Sequence, residues 1–86
     1  MEMGTLINIS EMNPGDRAVI KSIQSKGSMR RRLLDIGLVE NTKIECVGKS
    51  PGKDPLAYYI RGAVIAIRSE DGKNIIAKRC GRRKEK

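Results

Sequence analysis

The chain has 86 residues, with 18 Lys and Arg against 10 Asp and Glu, a net charge of +8, and no His, Trp or Phe. That length fits one small domain with a modest core built from Ile, Val, Leu and Ala. No apolar run is long enough to cross a membrane, and Met1-Glu2-Met3-Gly4 has neither the basic nor the apolar region of a signal peptide, so the expected location is the cytoplasm, without membrane insertion.

Thr5 to Ile9 alternates loosely and reads as a short edge segment. Asn13-Pro14-Gly15-Asp16 is a turn, with Pro fixing φ at its second position and Gly accepting a positive φ at its third. Arg17 to Gln24 is rich in β-branched residues and predicts a strand. Helical spacing then takes over. Met29, Leu33 and Ile36 recur at i, i+4 and i+7 and form one apolar stripe. Ser28 is the expected N-cap. Gly37 can take the left-handed conformation that ends a helix, and Leu38 can fold back onto it. A helix of about ten residues is marginal alone and must pack on the rest of the chain. Leu34 falls off the stripe, between Arg30 and Arg31 on the helical wheel. An exposed Leu is ordinary on a protein surface; on a basic face it is also a candidate docking point.

Val39-Glu40-Asn41 makes a turn. Thr42 to Val47 alternates clearly, with Lys43 and Glu45 facing out and Ile44 and Cys46 facing in. The segment from Gly48 to Pro55 holds two Pro and two Gly and reads as a loop. Leu56 to Arg61 and Ala63 to Arg68 are strands about a tight turn at Gly62. Residues 69–74 are polar and fit one helical turn, and Ile75 to Lys78 is a last short strand. Short strands at this spacing suggest a small closed sheet, which also removes the pairing hazard of exposed edges. The fold class is therefore mainly β: a small barrel of about five strands, with one short helix inserted after the first core strand.

Residues 78–86 carry six basic side chains and one acid, so the body has a net charge of only +3. Such an end can attract nucleic acid or anionic lipid, but it holds no aromatic residue to stack on a base. The domain is expected over 1–80, with residues 81–86 a basic disordered tail.

The chemistry-bearing residues are sparse. Cys46 and Cys80 are the two thiols, and without His they cannot complete a tetrahedral zinc site. Cys46 lies in phase with Ile44 and reads as a small core residue. The acids are scattered, and neither a phosphate-binding loop nor a nucleophile elbow is present. No acid, base and nucleophile set is matched, so the chain reads as a binding module and not an enzyme, with no cofactor and no metal ligand assigned.

Three segments, in this order and spacing, resemble the FeoA family of bacterial ferrous iron uptake. They are Arg32-Leu33-Leu34-Asp35-Ile36-Gly37-Leu38, Ser50-Pro51-Gly52-Lys53-Asp54-Pro55, and Ile65-Ala66-Ile67-Arg68 followed by Ile75 and Ala77. Asn13-Pro14-Gly15 fits the family's turn before the first core strand. Asn41 stands where the family usually has Gly, and Gly72 where it often has Ala. The resemblance covers about residues 5–80 and implies an SH3-like barrel with an added helix, the barrel also found at the C-terminus of iron-dependent repressors. It implies a partner, the FeoB membrane iron transporter with its cytoplasmic GTP-binding domain, and a role in supporting or regulating iron import. The partner-binding candidates are Arg30, Arg31, Leu33 and Leu34. The alternative is a small basic barrel that binds nucleic acid, which the low body charge and the opposed faces of Tyr58 and Tyr59 disfavour. Weak self-association stays open.

Overall fold

A computed structural model describes residues 5–49, 51–52 and 54–82. Its elements are β1 (Leu6–Asn8), a 3-10 turn (Ile9–Glu11), β2 (Asp16–Ile23), α1 (Gly27–Asp35), β3 (Lys43–Lys49), β4 (Leu56–Ile60), β5 (Ala63–Ile67), α2 (Ser69–Gly72) and β6 (Ile75–Arg82). The strands form one antiparallel sheet in the order β1-β6-β2-β3-β4-β5.

The local chemistry explains the elements. The Asn13–Asp16 turn closes with the Asp16 amide donating to the Asn13 carbonyl at 2.9 Å, and Gly15 has φ 98°. The buried Asp16 carboxylate accepts the Asn13 amide at 2.9 Å and faces the Arg79 guanidinium at 3.7 Å. Asn41, at φ 71°, takes a left-handed conformation, which Asn tolerates better than most residues other than Gly. Arg61 and Gly62, at φ 49° and 91°, form the tight turn between β4 and β5.

The core gathers Ile9, Met12, Ile20, Leu33, Leu38, Ile44, Cys46, Leu56, Tyr58, Ile60, Ile67 and Ile75, with Met29, Ile36 and Ile65 packed at its margin. Tyr58 is its one aromatic, and the phenol donates to the Ile9 carbonyl at 2.7 Å. A buried phenol needs such a partner.

Two expectations need correction. The sheet has six strands and does not close into a barrel: among the described residues β1 and β5 are the two ends of the strand order. Closure would need those ends to pair, but β1 is only three residues long, and residues of α1 line a cleft beside β5. The helical turn expected over residues 69–74 is α2, Ser69–Gly72, after β5. The last strand continues past Lys78 to Arg82, with Gly81 opposite Arg17 and Arg82 opposite Asp16, so the ladder passes the boundary drawn at residue 80. Residues 83–86, Ser50 and Lys53 lie outside the described residues.

Candidate functional site

α1 begins without a side-chain cap. Lys26 holds the N-cap position and Gly27, at φ 65°, opens the helix, so the Ser28 hydroxyl does not cap it. Arg30 anchors the start instead, its guanidinium donating to the Ile23 carbonyl at 2.7 Å across the link from β2. The far end closes as the sequence predicts. The Leu38 amide donates to the Leu33 carbonyl and the Gly37 amide to the Leu34 carbonyl, both at 3.0 Å, with Gly37 at φ 95°. This pair of bonds satisfies the last carbonyls, and Leu33 and Leu38 both enter the core beneath them.

The helix therefore divides the four candidate residues. Arg30 and Arg31 are exposed and Leu34 is 39% exposed. Leu33 is 3% exposed and belongs to the core, so it supports the face from below and cannot present its side chain to a partner. Arg61 was missed by sequence reasoning. Its side chain lies over Gly37 so closely that a Cβ there would meet the Arg61 Cδ at 2.6 Å. It ties the β4–β5 turn to the end of α1, a contact no local spacing announces.

A second feature lies on the outer face of the sheet. Arg17, Glu45 and Tyr59 stand opposite one another in register across β2, β3 and β4. With Lys43, Arg61 and Cys80 they line an open groove of about 610 Å³. Arg17 pairs with Glu45 at 3.6 Å, and Tyr59 is 48% exposed. Alternation in β3 predicts Lys43 and Glu45 outside, as found; in β4 it sets Tyr58 and Tyr59 on opposite faces, and the structure puts Tyr58 in the core and Tyr59 outside. The contribution of Cys80 was hidden, because the strand carrying it was expected to end at Lys78.

The two thiols differ in kind. Cys46 is buried, and desolvation pushes its pKa above the usual 9.0. Cys80 is exposed. Among the described residues no three His, Cys, Asp or Glu side chains come together as metal ligands. No helix among them is long and apolar enough to cross a membrane.

Against known families, residues 7–79 match the FeoA domain. The chain belongs to the FeoA family. A curated relative, the Fe(2+) transport protein A/Fe(2+) transporter FeoB fusion protein of Porphyromonas gingivalis, is 35% identical over 69 residues, which are 80% of this chain. The chain spans only 8% of that relative. Among solved structures, the FeoA-like protein of Clostridium acetobutylicum superposes with a TM-score of 0.81 at 27% identity, covering 100% of this chain and 98% of that one. FeoA of Stenotrophomonas maltophilia, a prokaryotic SH3 domain protein solved with zinc, superposes with a TM-score of 0.71 at 26% identity, covering 88% and 89%. The sheet is thus SH3-like and left open. The zinc belongs to that relative; the described FeoA residues here offer no cluster of three donors to hold it.

Proposed function

We propose that this FeoA-family chain is a non-enzymatic accessory protein of ferrous iron uptake. It acts in the cytoplasm by binding the cytoplasmic, GTP-binding part of a FeoB-like transporter. The fusion relative carries the reading, because one polypeptide there holds a FeoA-like segment and FeoB together. Covalent linkage raises the effective concentration of one module for the other, often to the millimolar range, and so favours a contact that is weak between separate chains. The outer face of α1 supports the reading as the contact: Leu34 supplies an apolar centre, with the Arg30 and Arg31 guanidinium groups beside it. A chain of net charge +8 favours an acidic partner surface and binds it less well as salt rises. Calorimetric titration of this chain into the isolated GTP-binding part of a FeoB-like transporter tests it. Saturable binding that weakens with salt is expected; no binding at about 1 mM would overturn the reading.

One observation favours a second reading. The groove beside Tyr59 sets an exposed aromatic among Arg17, Lys43 and Arg61, the elements of a single-stranded nucleic-acid site. Glu45 in the same groove opposes it. Salt titrations against RNA and duplex DNA separate the two readings.

A further inference from the structure

The strand order ends at β5, and the five residues of this strand each pair with one residue of β4 without a bulge. Among the described residues no strand lies on its other side. Natural edges are blunted by inward or edge charges, Pro, bulges or a covering element. Ala63-Val64-Ile65-Ala66-Ile67 has no charge, no Pro and no bulge. Val64 is 63% exposed, Ala63 and Ala66 are exposed, and Ile65 is half-buried. α1 approaches this edge without closing on it. A cleft of about 230 Å³ remains between them, lined by Met29, Ile36, Ile65, Arg32, Arg68 and Asp71, among others.

We infer that the free edge of β5 is a strand-addition site for an extended segment of another protein, apolar at its centre and acidic at its ends. The backbone edge supplies hydrogen bonds for the added strand, and alternation supplies selectivity. One set of its side chains enters the cleft against Met29, Ile36 and Ile65; the other set lies over Val64 and Tyr59. Arg68 and Arg32 line the cleft, opposed by Asp71, and Arg61 flanks the other end of the strand in sequence with its side chain over Gly37, so the edge favours a segment with acidic ends. A second copy of this chain fits less well. Antiparallel self-pairing about Ile65 sets Arg61 and Gly62 of each chain beside Arg68 of the other, a repulsion repeated twice between chains of net charge +8. The site is separate from the Arg30, Arg31 and Leu34 face, and its test uses no transporter, so either proposal can fail alone.

The experiment titrates the isotope-labelled chain with the synthetic peptide Asp-Glu-Val-Thr-Val-Thr-Val-Glu-Asp and follows amide resonances. Shifts are expected at Ala63 to Ile67 and at Met29 and Ile36. A peptide with Lys in place of its acids should bind about tenfold more weakly, as should the acidic peptide to Arg68→Glu at unchanged melting temperature. Methylating one alternate set of peptide nitrogens should abolish binding, and methylating the other set should not. No shift by about 1 mM, equal binding of the acidic and basic peptides, or indifference to both methylations would overturn the proposal. So would β5 shifts that grow with the concentration of the chain alone, which would give the edge to a second copy.

Discussion

Leu33 shares a buried cluster with Ile20, Ile44 and Ile67, while the next residue, Leu34, points to solvent. Leu33→Ala leaves a cavity and should cost about 2–4 kcal/mol, read as a lower denaturation midpoint in urea at unchanged slope. A midpoint like the parent's would mean that the stripe is not core. The thiols give a second residue-level expectation. Burial raises the pKa of the Cys46 thiol above its ordinary 9.0, and burial raises that of the Tyr58 phenol above its ordinary 10.0. For both groups the folded value lies above the unfolded one. Their contribution to stability is therefore complete below the unfolded values and is lost as pH rises from there through the folded values. Melting temperature should hold through neutral pH and fall above about 9, with Cys46→Ala delaying the onset toward about 10. A thiol reagent should modify Cys80 in the folded chain and Cys46 only in denaturant; equal rates would contradict its burial.

Among the elements, α1 depends on how it ends more than on how it begins. Gly37 needs its hydrogen both for φ 95° and for the Arg61 side chain above it. Gly37→Ala should cost about 1–3 kcal/mol in thermal denaturation, because the left-handed backbone is strained for Ala even after Arg61 swings away. A change within a few tenths would show that the helix end relaxes freely. This end was legible in the sequence, since Gly after a periodic run followed by an apolar residue is a local signal. The start was not: Ser28 is a good cap by residue type, yet Gly27 already lies inside the helix. α2 shows the limit again. Its first amide, Ser69, donates to the Asp54 carboxylate at 2.8 Å from fifteen positions back, a cap that only the fold brings into range. Gly72 has its own reason to be small, since a Cβ there would meet the Ile9 Cγ1 at 3.1 Å and the Ser10 amide nitrogen at 3.3 Å.

At the scale of the molecule, the strand positions were readable because Ile44 and Cys46 alternate with Lys43 and Glu45. Where the sheet stops was not readable. Cys80-Gly81-Arg82 looks like part of a charged tail, but Gly81 and Arg82 pair with Arg17 and Asp16. Truncation after Cys80 should therefore cost about 1 kcal/mol and shift the amides of Asp16 and Arg17; spectra unchanged there would place the end of the ladder earlier. Closure, too, is a property of the whole sheet. Short strands suggested a barrel, whereas here a helix covers the core and leaves β5 free. The site was half legible: Leu34 off the stripe marked the outer face of α1, but the bond from Arg30 to Ile23 and the reach of Arg61 over Gly37 join residues from separate elements.

In the proposed complex, recognition of the transporter runs through Leu34 on the outer face of α1. The measurement is a pair of calorimetric affinities for the GTP-binding part of a FeoB-like transporter, with melting temperatures, for Leu34→Gln and Leu33→Gln. Leu34→Gln should weaken binding about tenfold or more while barely changing the melting temperature, and Leu33→Gln should lower both. Parent-like affinity in Leu34→Gln would contradict the claim and move the contact off this helix.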